Sequence, residues 1–436
     1  MEEIFITSIK TQDFPIIGNI EIPLDSKTRK HLIITGKNGS GKTHFLKGLE
    51  QKFRDFLSGK LTKYQIQHNI QVLKKSITTR EEEIKSLDTT LSTSLGFDKH
   101  EMKEGKLRDI ESYKKNIEYY KNELQETQKF QIEFSSLKHI EVIKNKDFIL
   151  AFFRAQRKNQ ADVPKAITNV DLSLRNPTET EDLHRRFIAY MVRLRTTYLN
   201  EKDKAERGYT ESREKAEQIN KWFNHLENTL KNLFERDDLR LEYDDEGLNY
   251  KIMYEDRCFG LNELSDGYSS LLAILTELIL RMEAKGFKSY DMQGVVLIDE
   301  IETHLHIALQ KRVLPFLCDF FPNIQFIVTT HSPFVLSSLE NAVICDLQNK
   351  VILTEDISGY SYESLTDGYF DTSKYSNLVE KKYQELKTLL QARRARKLSN
   401  VEISRLNELE YFFESIPTYQ NEELKLRIDR LLEELK

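Results

Sequence analysis

Gly36-Lys37-Asn38-Gly39-Ser40-Gly41-Lys42-Thr43 sets a lysine and a hydroxyl at the end of a glycine-rich turn, in the full G-x-x-x-x-G-K-[ST] spacing. Glycines let such a loop fold back on itself, so that backbone N–H groups face a phosphate. The candidate nucleotide-binding residues are Asn38, Gly39, Ser40, Gly41, Lys42 and Thr43. Lys42 would reach the β- and γ-phosphates, and the Thr43 hydroxyl would ligate Mg²⁺. A helix opening at Thr43 adds unpaired N–H groups and the positive end of its dipole.

Two acids complete the chemistry. Val295-Val296-Leu297-Ile298 reads as a buried strand that ends in Asp299-Glu300. Asp299 would hold Mg²⁺, directly or through water, and Glu300 would orient and deprotonate the attacking water. His331, in Thr329-Thr330-His331-Ser332-Pro333, follows the next strand and can contact the γ-phosphate. Leu264-Ser265-Asp266-Gly267-Tyr268 precedes a long apolar helix, and Ser265 with the backbone of Gly267 could cap the γ-phosphate of a nucleotide held by another subunit. His304 and His306 are spaced i, i+2, which does not face one way on a helix, so a structural or interface role is expected for them.

The order phosphate loop, LSDGY, VVLIDE, TTHS resembles the ATP-binding-cassette ATPases of the RecF, SMC and OLD group. LSDGY is similar to their signature, VVLIDE to their second nucleotide motif and His331 to their switch histidine. The Asp299–His306 run resembles stand-alone bacterial ATPases of this group, including the ATPase subunits of anti-phage systems such as Septu and PARIS. The resemblance implies ATP and Mg²⁺ as cofactors and a glutamine after the first lobe. Gln156, which follows an apolar strand, is the candidate. The chain departs from the pattern at Asp266, where many relatives carry glycine. Its helical insertion is also far shorter than in chromosome-maintenance ATPases and lacks a Cys-x-x-Cys hook.

These residues need a parallel sheet to bring them together, and the predicted class is α/β, a cassette-type P-loop core. Ile4–Ile9 and Ile16–Ile22 alternate as a hairpin, while Leu32–Thr35 and Phe148–Phe153 are dense apolar strands. Ile66, Ile70, Leu73, Ile77, Ile84, Leu87 and Leu91 keep a three-and-four spacing. After a break at Gly96-Phe97 and Gly105 the pattern resumes through Leu107, Ile110, Tyr113, Ile117, Tyr120 and Leu124. This predicts an antiparallel coiled-coil hairpin about 40 Å long. Leu239–Phe259 alternates as a hairpin, Leu305–Phe320 reads as one helix, and Val343–Asp346 with Val351–Thr354 as a final strand pair. Ser399 and Glu402 suit a capping box, and the chain reads as helical from about Tyr375 to its end, with an interruption at Pro417. The expected domains are a first lobe of residues 1–60 and 140–176, a coiled-coil insertion over 61–139, and a second helical region over 177–236. The signature, acid-pair and histidine lobe then spans 237–360, and a helical C-terminal region spans 361–436.

Composition narrows the function. The 436 residues exceed one simple domain, and 31% charged residues with 16 Gly and 8 Pro favour helices with solvated faces. A net charge of −5 argues against a uniformly basic nucleic-acid coat. Cys258, Cys318 and Cys345 are scattered, without metal-ligand spacing, which fits a reduced cytoplasmic protein. No apolar run reaches the roughly 20 residues that span a bilayer, so no membrane partner is expected. The expected function is an ATPase, slow in turnover, that forms head-to-tail homodimers or higher assemblies. It would serve as sensor or scaffold of a bacterial defence complex that controls a separate effector, a nuclease or toxin, in response to a phage protein or DNA. No nuclease site is legible in the chain itself. The competing readings are a DNA-clamping repair ATPase, with Arg393–Lys397 as phosphate contacts, and a scaffold that binds ATP and rarely hydrolyses it. Intact Glu300 argues against the scaffold.

Overall fold

The computed structural model describes residues 2–60, 63–89, 96–136, 138–144, 147–157, 160–174, 178, 183–286, 290–354, 377–414, 426 and 428–431. The chain divides into two compact units, Met1–Gly359 and Tyr360–Lys436.

The larger unit is built on a six-stranded sheet. Its strands are β3 (His31–Thr35), β5 (Ile149–Phe153), β9 (Gly294–Ile298), β10 (Ile324–Thr329), β11 (Ala342–Asp346) and β12 (Val351–Leu353), in the order β12-β11-β3-β10-β9-β5. All neighbours run parallel except β12, which is antiparallel to β11. Every residue of β3, β5, β9, β10 and β11 is buried. Unbroken apolar runs are therefore what these strands require, since both faces of a parallel sheet are covered.

A three-stranded antiparallel sheet, in the order β2-β1-β4, lies in the same unit: β1 (Ile6–Phe14), β2 (Gly18–Pro23) and β4 (Phe130–Phe134). Ile9 faces Ile22 on one side and Ile132 on the other. The alternation of the first hairpin turns one face inward, where Ile6, Ile9 and Ile22 share a core with Phe45, Leu46 and Leu49 of α1 (Lys42–Ser58) and with Leu32, Leu150 and Leu297 of the large sheet. Each such side chain contributes about 1.5–3 kcal/mol on burial. Gln325, fully buried, links the sheets: its Oε1 accepts from Ile6 N and its Nε2 donates to the Ile6 carbonyl.

Between α1 and β4 the chain forms α2 (Lys63–Thr89) and α3 (Gly96–Lys129), which pack on each other. Ile66 and Ile70 meet Ile117, with Leu73, Ile77, Tyr120 and Leu124 against them. Lys103–Asp88 and Lys106–Glu83 ion pairs link the other ends, so the two helices run antiparallel. Two details differ from expectation. Helix α3 begins at Gly96 and continues through Gly105, because one helical glycine costs only about 1 kcal/mol among strong helix formers. Leu107 is half exposed, whereas Lys106, one turn before buried Ile110, is largely covered against Glu83.

Helix α4 (His139–Lys144) follows β4, and helices α5 (Phe187–Glu206) and α6 (Thr210–Phe234) lead into a third, antiparallel sheet of β6 (Arg240–Asp244), β7 (Asn249–Tyr254) and β8 (Arg257–Gly260). The expected hairpin thus gains a third strand after a turn at Glu255. Helix α7 (Asp266–Glu283) is buried along nearly its whole length and reaches the large sheet, where Arg281 Nη1 donates to the Leu150 carbonyl at 2.9 Å. The single helix expected over Leu305–Phe320 is two, α8 (Ile307–Gln310) and α9 (Val313–Phe320). Pro315 has no N–H for the Lys311 carbonyl, so a continuous helix would lose a bond there. Among the described residues no helix is long and apolar enough to cross a membrane.

In the smaller unit, helices Asn377–Ala395 and Asn400–Glu414 share a core of Tyr383, Leu386, Leu390, Leu406, Leu409 and Phe413. The capping box is present: Ser399 N donates to Glu402 Oε2 at 2.8 Å and Glu402 N to Ser399 Oγ at 3.4 Å. Pro417 and the expected helical start near Tyr375 lie outside the described residues.

Candidate functional site

Four adjacent parallel strands end on one edge, and the segment after each carries a predicted site residue. The phosphate loop follows β3, Thr330-His331 follows β10, Asp299-Glu300 follows β9 and Gln156-Arg157 follows β5. Residues more than a hundred positions apart are neighbours because the sheet order makes them so.

In the phosphate loop Gly36, Gly39 and Gly41 have φ of 134°, 85° and 97°, left-handed conformations that favour glycine. Gly41 is also crowded: a Cβ there would lie 2.9 Å from Ile17. It caps α1, whose first turn opens at Lys42. Lys42 is buried, and its ammonium donates to the carbonyls of Gly36 at 2.7 Å and Lys37 at 3.2 Å. Burial lowers its pKa, opposed by the carboxylates of Glu300 and Asp299. Asn38 and Gly39 are exposed at the loop's tip.

Asp299 joins the acid turn to the loop. Its Oδ2 accepts from Thr43 Oγ1 at 2.8 Å and its Oδ1 from Thr329 Oγ1 at 2.6 Å. Thr329 Oγ1 in turn accepts from Glu300 N at 2.8 Å. Glu300 has φ 45°, so the chain reverses sharply at this residue. His331 N donates to Glu302 Oε1, which draws the β10 loop onto the same turn. Burial, and then the Lys42 charge, hold the His331 pKa below its ordinary value. Its imidazole is therefore neutral near pH 7, able to accept or donate one hydrogen bond.

Gln156 is exposed, whereas its neighbour Arg157 is buried in the site. Arg157 Nη1 donates to the Asp299 carbonyl at 2.7 Å, Nη2 to the carbonyls of Glu300 at 3.1 Å and Ile301 at 3.3 Å, and Nε to Ser270 Oγ at 3.2 Å. Burial lowers its pKa to about 10, so it stays charged at neutral pH. Sequence reasoning missed this residue. The available signal was an arginine four positions beyond a buried parallel strand.

Ser265 and Asp266 are exposed at the start of α7, with Ser265 in the N-cap position, and Gly267 is buried. A Cβ on Gly267 would lie 2.8 Å from the His304 carbonyl oxygen, so close approach fixes glycine here. Ser265, Asp266 and Gly267 line a cavity of about 330 Å³ with His304, His306 and Arg312, not with the phosphate loop. His306 caps α8 by accepting from Ala308 N.

Residues 32–337 match the family model described as "AAA domain, putative AbiEii toxin, Type IV TA system". The chain belongs to this AAA-domain family. It is similar to the Septu protein PtuA of Bacillus mycoides (strain KBAB4), 31% identical over 175 residues, which are 37% of this chain and 23% of that protein. It is also similar to the retron Ec83 probable ATPase of Escherichia coli, 40% identical over 90 residues, 20% of this chain and 17% of the relative. The matched segments thus span about a fifth of each of these curated relatives. Among solved structures, the Smc head domain with an extended coiled coil from Pyrococcus furiosus aligns over 80% of this chain and 95% of its own, at 11% identity and a TM-score of 0.33.

The AAA-domain site suits a polyphosphate and a hard cation. Ser40 Oγ, within the loop, is buried without a hydrogen-bond partner, and so is Glu302 Oε2 beside His331. The first N–H groups of α1, which begins at Lys42, point toward the same loop. The Thr43 hydroxyl and the Asp299 carboxylate, 2.8 Å apart, form an oxygen donor pair of the kind Mg²⁺ takes.

Proposed function

We propose that the chain hydrolyses ATP with Mg²⁺ and acts as the nucleotide-switched subunit of a bacterial defence assembly, controlling a separate effector. One observation carries the catalytic part. Thr43, Asp299, Thr329 and the backbone of Glu300 form one hydrogen-bonded chain from the phosphate loop to the acid turn. Thr43 and Asp299 would hold Mg²⁺, and bound Mg²⁺ would neutralise charge on the phosphates. Lys42 and the loop N–H groups would position the β- and γ-phosphates. Glu300 would take the proton of the attacking water, with neutral His331 beside it.

The signature lines a cavity of its own, so Ser265 and Gly267 would complete a site on a second copy of the chain, in a head-to-tail dimer. The likeness to Septu and retron proteins supports the defence role and a partner effector, and Arg157, Glu300 and His331 would serve hydrolysis alone. Glu300→Gln tests the reading, because it keeps size and removes the base. The variant is expected to bind ATP as the parent does, to stop turnover and to accumulate as a dimer on a sizing column. Hydrolysis at the parental rate would assign the base elsewhere.

A further inference from the structure

The turn at Asp299-Glu300-Ile301 poses a problem of its own. A left-handed φ at a residue other than glycine, as at Glu300, is strained, and surrounding contacts must hold it. Carbonyls in such a buried turn need donors. The Arg157 guanidinium supplies them to three consecutive residues and, from its remaining edge, reaches Ser270. Ser270 is fully buried on α7, five residues after Ser265. Gly267, at the start of the same helix, presses on the carbonyl of His304, four residues after Glu300. The beginning of α7 therefore touches the catalytic segment at two points, and one of them is a single planar cation.

We propose that Arg157 is a positioning residue that couples the signature helix to the catalytic turn, so that hydrolysis depends on where α7 sits while nucleotide binding does not. A shift of α7 by about 1 Å would stretch the 3.2 Å bond between Nε and Ser270 Oγ beyond hydrogen-bonding range. The guanidinium would then reorient and release the carbonyls around Glu300. Arginine is required, since only its flat five-donor fork serves the turn and the helix together. A lysine ammonium is a point donor and reaches one of them. None of the Arg157 contacts involves the phosphate loop, and its bond to Asp299 is to the backbone carbonyl, while the carboxylate that meets Thr43 is held by Thr329, so Lys42 and Thr43 keep their geometry when it is lost. The inference rests on Glu300 as the base.

The experiment measures kcat, the Kd of a non-hydrolysable ATP analogue and Tm for Arg157→Lys, Ser270→Ala, the double variant and Glu300→Gln. Arg157→Lys is expected to lower kcat about ten- to a hundredfold, the usual cost of removing a partner that orients a catalytic carboxylate, with analogue affinity unchanged. Ser270→Ala should lower kcat in the same direction at unchanged Kd, with a somewhat lower Tm because Arg157 Nε loses a buried acceptor, and the double variant should be no slower than Arg157→Lys, since both act through one bond. Parental kcat in Arg157→Lys overturns the proposal, and so does a loss that follows weaker analogue binding. If Arg157→Lys does not fold, Ser270→Ala decides by the same criteria. Glu300→Gln separates the two readings: parental turnover there overturns both, whereas an inactive Glu300→Gln beside a fully active Arg157→Lys overturns the coupling alone.

Discussion

Burial sets the protonation of His31 as firmly as any designed site. Its Nδ1 accepts from Phe326 N at 3.0 Å inside the sheet, and Nε2 lies 3.5 Å from Cys318 Sγ. Desolvation lowers its pKa from 6.5 to about 4. Below pH 6.5 the unfolded chain takes up a proton that the folded chain refuses. The stability His31 contributes is thus complete above 6.5, falls as the pH drops towards about 4, and is lost below it, a change of about 3 kcal/mol. Urea unfolding between pH 8 and pH 4 should show this fall, and His31→Gln, whose side-chain oxygen can accept from Phe326, should flatten it by one proton. An unchanged slope would place the effect on other groups. At this scale the meeting of Lys42, Thr43, Asp299 and Glu300 at one edge of the sheet was legible, because type and spacing mark the loop and the acid pair. Arg157 was not. Gln156 was chosen by type, and which of the two neighbours is buried is a matter of register that residue type leaves open.

At the scale of elements, the buried strands announced themselves as apolar runs, and the reciprocal bonds of Ser399 and Glu402 follow from their spacing. The extent of α3 did not. Glycine marks a break by propensity, yet contacts along α2 and α3 outweigh one unfavourable residue. Gly105 has a helical setting, and a Cβ there would meet nothing within 4 Å. Gly105→Ala should therefore stabilise the helix pair by about 0.5–1 kcal/mol, seen as a higher midpoint in thermal or urea unfolding. A lower midpoint would mean that the glycine serves a contact of another kind. Gly267 is the opposite case, since its neighbour is a backbone carbonyl that cannot move aside cheaply. The split of Leu305–Phe320 was also legible in principle, through Pro315, and was outweighed by the apolar pattern around it.

At the scale of the molecule, the basic run Arg393–Lys397 is exposed along its whole length, with ion pairs to carboxylates of its own unit. Arg396 is held by both carboxylate oxygens of Glu402, and Arg393 lies 3.9 Å from Glu410. The shared-site ATPase is the reading to test. The sequence order of the motifs predicted that the phosphate loop and acid turn meet in one chain, and the sheet order explains why. Where the signature acts is a question between chains. Mixing a Lys42→Ala chain with a Ser265→Arg chain answers it most directly. In a head-to-tail dimer each site takes its phosphate loop from one chain and its signature from the other, so the mixed dimer has one doubly altered site and one intact site. Neither variant should hydrolyse ATP alone. An equal mixture should recover about a quarter of the parental rate, because half of the dimers are mixed and half of their sites are whole. No recovery, with mixed dimers confirmed by native mass spectrometry, would contradict a site shared between two chains that fires independently.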